Sequence, residues 1–591
     1  MSKSTKSKRW RLDPLRENFA VLRRLLSYLQ GDQRLLLAAL GTLVLTALGQ
    51  ALGPALTGLA VDDFIGAGNR EGLALIIIAL LVIYLVGFIG YVGQIRLLGI
   101  IGQNLLKRLR SDIFDKMQEL SLDYYQEHET GDLMSRMVND TDVIADLISS
   151  SLMETVSALF GLVFVVVAMF AVNVALALVT ISMLPFMILL TVFVTRRSRA
   201  AYKETRKTLG ILSADLEEDL TTIRETQSFS HVAVNIERFE AEDAANRDAN
   251  VHASQITAAF SPAIDTLSTL TTVLVALVGG WLAFNNSYAT TIGDVVAFIS
   301  YSRQFFRPID TVSNFYNELQ AGVAAAERIF ELLDTPPTIT DKPDAEQLPA
   351  IEGTVRFDNV VFSYDGTNDV LKGLSLESKP GEAIALVGET GAGKSTIVNL
   401  IGRFHDVNGG RVLIDDHDVR DVTRQSLRVQ MGEVPQDSFL VADTIANNIR
   451  FGKPEATMDE VIAAATAAHA HDFISALPDG YDTEIASDGG SLSQGERQLL
   501  CIARAILPDP RLLILDEATA NVDTRTERLV QAAIDELLKS RTAFVIAHRL
   551  STIRNVDRIL VIGEGHIIEQ GSHDELMAKG GAYATLIEKQ Y

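Results

Sequence analysis

Residues 388–395 read Gly-Glu-Thr-Gly-Ala-Gly-Lys-Ser, the G-x-x-x-x-G-K-[ST] spacing of a phosphate cradle. Gly388, Gly391 and Gly393, with Glu389, Thr390 and Ala392 between them, let successive N–H groups face one anion. Lys394 adds a point charge for the β- and γ-phosphates, and Ser395 offers a hydroxyl to Mg²⁺. Two more acids and a histidine stand where the chemistry would need them. Asp516 and Glu517 follow the apolar run Leu512–Leu515, and His548 follows Phe544–Ala547. Groups at the carboxyl ends of parallel strands sit beside such a loop in an open α/β sheet. Asp516 is expected to hold Mg²⁺, partly through water. Glu517 is expected to orient or deprotonate the attacking water. His548 is placed for the γ-phosphate and its developing charge. The chemistry expected is hydrolysis of a nucleoside triphosphate, with Glu517, His548 and Lys394 as the catalytic set.

The elements that must position these groups are legible. Ala383–Val387 is a short apolar run, read as a buried strand leading into the loop. Thr396–Phe404 has helical spacing, so a helix opening at Thr396 points its positive end at the phosphate. Tyr364 ends the strand-like stretch 354–364 upstream of the loop. Two readings stand for it: a ring that stacks on adenine, or an exposed aromatic at a strand end. Leu492–Gln498 precedes a further helix, whose N-terminus would open at Ser493 and Gly495 with free N–H donors.

The chain has 591 residues, and its halves differ in kind. Its net charge of -23 argues against nucleic acid as a partner. One cysteine, Cys501, excludes an internal disulfide and reads as a small core residue. Six apolar runs are long enough to span a bilayer: Leu35–Val61, Leu73–Leu98, Val156–Val172, Val174–Val194, Ala258–Phe284 and Ile292–Val312. The third and fourth are separated only near Asn173. Residues 13–30 read as an amphipathic helix at the membrane surface. Lys and Arg crowd the N-terminus and the segments after the second and fourth runs. That bias places both termini and the soluble half in the cytoplasm of a multi-pass protein of the cytoplasmic membrane.

Helical patterning continues past the apolar runs over 73–119, 174–215 and 292–333. The first of these would reach about 70 Å, well beyond a bilayer core of about 30 Å. Turns are expected at 122–128 and 229–234. Pro54, Pro185, Pro262 and Pro308 should bend their helices. Asp265, Arg303 and Arg307 lie in or beside the last two runs. They read either as lining of a polar substrate path or as structural ion pairs. The division that follows is 1–34 cytoplasmic N-terminus with a surface helix, 35–334 membrane domain, 335–350 Pro-rich linker and 351–591 nucleotide-binding domain.

With Leu492-Ser493-Gln494-Gly495-Glu496-Arg497-Gln498 in place, the order of motifs resembles the ATP-binding cassette proteins. The six-run half resembles their exporter branch, and the resemblance covers nearly the whole chain. It implies a membrane α-helical bundle followed by an α/β P-loop cassette, using ATP and Mg²⁺. It implies that Ser493, Gln494, Gly495 and Glu496 cap an ATP held by the opposite subunit. Gln436 resembles the glutamine that reaches Mg²⁺, and Asp523 the aspartate that signals across the dimer interface. Residues 122–128 and 229–234 resemble the two short coupling helices. Where the family usually reads Leu-Ser-Gly-Gly-Gln, this chain has Gln494 and Glu496, a departure that favours a heterodimer of two half-transporters over a homodimer, both of which stay open. The implied function is ATP-driven export of hydrophobic or amphipathic compounds, or flipping of lipids between leaflets. A non-transporting ATPase of the same superfamily is the reading the six apolar runs disfavour.

Overall fold

The computed structural model describes residues 14–285, 287–436, 438–486, 492–516, 524–547 and 553–590. The chain divides into two compact units. One holds residues up to Glu119 together with His128–Thr335; the other holds Leu120–Glu127 and Pro336 onward.

The first unit is helical. A surface helix, α1 (Pro14–Ser27), leads into α2 (Gln33–Leu59) and α3 (Arg70–Glu119). After the short α4 (Leu122–Glu127), residues 130–151 wind through α and wider π-type turns into α5 (Leu152–Val172). Then come α6 (Val174–Ile181), α7 (Leu184–Thr221), α8 (Ile223–Ser228) and α9 (Val232–Ala258). The last two are α10 (Phe260–Phe284) and α11 (Ile292–Asp334). Among the described residues, five helical stretches are long and apolar enough to cross a membrane: Ala20–Ile65, Arg70–Glu119, Thr130–Val172, Val174–Thr221 and Val232–Phe284. The sixth expected run lies in α11, a helix of 43 residues.

The breaks have local causes. Asn173 is extended, and its side-chain oxygen accepts from the N–H groups of Ala175 and Leu176, so one residue ends α5 and caps α6. Pro185 restarts the helix as α7 after a turn at Ser182–Met183, and Pro262 stands in the first turn of α10. Pro54 and Pro308 stay inside α2 and α11. The second short helix forms at Ile223–Ser228, ahead of the expected 229–234. There Ser230 takes a left-handed turn (φ 57°) and α9 has already begun at Val232.

The short turns at one end of this unit are pinned together. Asn173 Nδ2 donates to Thr290 Oγ1 (3.2 Å) and Asp294 Oδ2 (3.1 Å). Gly293 N–H donates to Asp62 Oδ1 (2.8 Å), and a Cβ on Gly58 or Gly293 would strike the other's carbonyl.

The second unit has two sheets. The smaller runs β2-β1-β4-β5: β1 (Val355–Phe362), β2 (Leu371–Glu377), β4 (Gly409–Ile414) and β5 (His417–Asp418). The larger runs β10-β9-β3-β8-β7-β6. It is built from β3 (Ala383–Val387), β6 (Met431–Val434), β7 (Leu512–Asp516), β8 (Thr542–Ile546), β9 (Arg558–Gly563) and β10 (His566–Gly571). β3 is buried along its whole length because both its faces are covered. Ala383, Ala385 and Val387 enter one core, and Ile384 and Leu386 the other, as the two-residue period requires. Cys501 is buried in the first of these cores.

The stretch read as a linker is packed against this unit from Pro336 on. Ile339, Leu348 and Ile351 are buried. Arg403, only 1% exposed, pairs with Asp341 (3.2 Å) and Asp406 (3.1 Å) and donates to the carbonyls of Thr340 and Val422. A buried guanidinium is tolerable because nearly every donor is used.

Candidate nucleotide-binding site

The phosphate loop follows β3. Its turn needs left-handed backbone at Gly391 (φ 85°) and Gly393 (φ 104°), which side chains rarely adopt. A Cβ on Gly393 would also come within 2.9 Å of Leu371. The helix behind the loop, α12 (Lys394–Ile401), opens at Lys394. Lys394 is 8% exposed, and its Nζ donates to the carbonyls of Gly388 (2.8 Å) and Glu389 (3.0 Å). Burial pushes its ammonium below the usual lysine range, and the charge of Asp516 pulls partly the other way. Ser395 is exposed.

Strand pairing places the remaining groups. β3 pairs in parallel with β8, β8 with β7, and β7 with β6. The carboxyl ends of all four strands therefore share one edge of the sheet. That edge carries the loop after Val387, Asp516 at the end of β7, and the exposed Gln436 just past β6. Glu517 and His548 follow β7 and β8 in sequence; they and Asp523 lie outside the described residues. Ser395, Gln436 and Asp516 are hard oxygen donors with one carboxylate among them. Such a set suits a Mg²⁺ that takes its other ligands from water and phosphate.

Tyr364 is 48% exposed, and its hydroxyl hydrogen-bonds Thr396 Oγ1 (3.1 Å). Its ring packs edge-on against Phe362 (4.8 Å) and against His405 (5.1 Å). His405 is buried, and its Nδ1 lies 2.9 Å from Asp123 Oδ1 on α4, within the same unit. The sequence reading missed this pair, since nothing local links residues 123 and 405.

The signature segment opens α13 (Gln494–Ile506), with Ser493 as its N-cap. Here the expectation of a free N–H donor is corrected for Ser493. Ser493 N–H donates to Glu496 Oε2 (2.7 Å), and Glu496 N–H donates to Ser493 Oγ (3.3 Å). The Ser-x-x-Glu spacing is a capping box, and that signal was available in the sequence. Gly495 is buried, while Gln494 and Glu496 are half-buried.

In the helical unit a cavity of about 730 Å³ is lined by side chains of α2, α3, α5 and α11, among them Gln50, Gln94, Glu154 and Gln304. Asp265 and Arg303 are exposed and lie outside this lining. The Arg307 side chain is outside the described residues. The glutamines were missed because they sit on three helices far apart in sequence. Polar residues inside apolar runs were the available signal.

Known proteins match both units. Residues 36–309 match the ABC transporter transmembrane region and residues 371–520 the ABC transporter family. A fatty acid ABC transporter ATP-binding/permease protein of Mycobacterium tuberculosis is 43% identical, over 85% of this chain and 79% of that one. An ATP-dependent lipid A-core flippase of Syntrophus aciditrophicus is 38% identical, over 90% and 88%. The structure of a bacterial Atm1-family ABC exporter with ATP bound aligns with a TM-score of 0.75 at 32% identity, covering 94% of this chain and 98% of that one. A multi-pass membrane unit and an ATP-binding cassette on one chain, matched along their length, make this protein a member of the ABC transporter family, an exporter-type half-transporter whose ATPase drives transport.

Proposed function

We propose that the chain exports amphipathic compounds, or flips lipids between leaflets, as one half of an ATP-clamped dimer in the cytoplasmic membrane. The observation that carries this is a membrane unit fused to a cassette whose phosphate loop, Asp516 and Gln436 share one sheet edge. In this reading both termini and the cassette face the cytoplasm. Lys394 and the loop hold the phosphates, and Ser395, Gln436 and Asp516 hold Mg²⁺. Glu517 accepts a proton from the attacking water, while His548 steadies the γ-phosphate. Ser493 and Gly495 face the ATP of the second subunit, and Asp523 lies at the interface. The exposed Phe229 and Val234, just past α8, suit docking on a partner. The altered signature favours an unlike partner.

ATP drives the cycle only through its higher affinity for the closed dimer. The names of the fatty acid transporter and the lipid A-core flippase favour a lipid-like cargo. The expected result for Glu517→Gln is tight ATP binding with turnover reduced at least about a hundredfold. Transport at the normal rate in that variant would remove Glu517 from the catalytic set.

A further inference from the structure

The outward face of α7 changes character along its length. Met187, Ala201, Thr205 and Leu212 are buried, and at 3.6 residues per turn they fall within an arc of about 40°. Ile188, Leu189 and Val192 point the opposite way and are exposed. On a helix that crosses a membrane, such a face meets lipid chains. One turn past Val192 the same face becomes basic. Arg196, Arg199, Lys203, Arg206 and Lys207 are exposed and lie between about 140° and about 240° around the helix from Ala201. The first acid on α7 is Glu204, and it pairs with Lys207 (3.2 Å).

Other arginines beside the apolar runs are used inside the protein. Arg24 bonds Asp334 (2.6 Å), Arg108 bonds Asp32 (3.0 Å) and Arg110 bonds Asp142 (2.9 Å). Among the described residues, Arg196, Arg199 and Lys203 have no acid within ion-pair distance. Each stands one helical turn from the next, so like charges crowd one another. The Arg199 guanidinium lies 5.6 Å over the Tyr316 ring of α11, which holds it on this face. The chain as a whole has a net charge of -23, so the stripe runs against its general sign. Water would suffice for such a stripe far from the bilayer. Arg196, however, is only about 6 Å along the axis from Val192. The polar layer of a bilayer adds about 6 Å on each side, and its surface potential decays over about 8 Å. The stretch from Arg196 to Lys203, about 10 Å long, falls within that reach.

We propose that Arg196, Arg199 and Lys203 form a docking surface for the phosphate groups of anionic phospholipids, in the leaflet where α7 leaves its apolar run. The lipid tails lie along Ile188, Leu189 and Val192. The phosphates relieve the crowding of like charge one turn further on. Zwitterionic lipids carry the same phosphate with a cation attached, so selection is by net charge.

The test uses the full chain in nanodiscs of phosphatidylcholine, with and without phosphatidylglycerol. It reads thermal unfolding and, by native mass, the number of phosphatidylglycerol molecules retained. Phosphatidylglycerol should raise the melting temperature of the wild type, and the rise should shrink as salt screens the contact. Arg196→Gln/Arg199→Gln/Lys203→Gln should match the wild type in phosphatidylcholine and lose the rise. It should also need at least about tenfold more phosphatidylglycerol for the same occupancy. Arg196→Lys/Arg199→Lys, which keeps every charge, should keep the rise. If the triple variant does not fold in phosphatidylcholine, Lys203→Gln alone decides, by a smaller loss of occupancy.

Equal rise and equal occupancy in wild type and charge-removed variants overturn the proposal, as does a rise that phosphatidylethanolamine gives equally. Inorganic phosphate that reproduces the rise in phosphatidylcholine discs removes the lipid assignment. None of these readouts needs ATP turnover or a cargo, so failure of the transport reading would leave them unchanged.

Discussion

In the proposed site Lys394 binds phosphate as an ammonium, yet its surroundings disfavour that form. Two quantities should therefore respond to pH in opposite directions. As pH rises through the lowered pKa, below the usual lysine value of about 10.4, the ammonium is lost and ATP affinity falls. The nucleotide-free cassette gains stability over the same window, because the folded state binds fewer protons than the unfolded one. Titrating ATP binding and thermal unfolding between neutral and alkaline pH checks both signs, and Lys394→Arg should flatten both curves. Glu496 carries a different consequence. Its carboxylate occupies the Ser493 N–H at the start of α13, so in the proposed dimer the face turned to the second subunit's ATP has one donor fewer and one negative charge more. Glutamine can fill the same capping position. Glu496→Gln should leave the fold intact and raise turnover at the partner-completed site by about tenfold, read as ATPase of the assembled transporter.

At the scale of elements, His405 joins three parts of the second unit: Asp123 on α4, the ring of Tyr364, and through it Thr396 of α12. A short helix drawn from the membrane sequence is thereby tied to the aromatic upstream of the phosphate loop. His405→Phe keeps an aromatic ring but loses the bond to Asp123. Cassette ATP binding should persist, while substrate moved per ATP falls by about tenfold, the scale of one hydrogen bond to a charged group. Measuring transport and hydrolysis in the same proteoliposomes gives the ratio. An unchanged ratio would make His405 a packing residue only. Much at this scale was legible beforehand. The apolar runs, the strand ending at Val387 and the break at Asn173 each follow from a local pattern. What was illegible is non-local. The second short helix is displaced because a left-handed Ser230 sets the turn after it. Gln50, Gln94 and Gln304 meet only once three helices pack. The embrace of residues 336–351 by the cassette depends on Arg403, some sixty residues on.

At the scale of the molecule, an exporter-type half-transporter works as a dimer, and the proposed reading of the altered signature gives it an unlike partner. The chain expressed alone in nanodiscs should show no stable dimer by native mass and no Glu517-dependent ATP turnover, with activity restored by co-expression of a second half-transporter. A stable, active homodimer would instead make Gln494 and Glu496 tolerated variants. One further property follows from the pinned turns of the membrane unit. Asn173 holds the α5–α6 corner to Thr290 and Asp294, and Asp62 holds Gly293 against α2. These bonds make that end a fulcrum, while α11, at 43 residues, extends about 65 Å from it. A tilt of about 10° about the fulcrum sweeps the far end of the helix through about 11 Å. Motion of that size costs little at the pivot, where the hydrogen bonds need only rotate. Small angular changes are thus geared into large strokes at the opposite end, with the pinned turns staying closed within the chain.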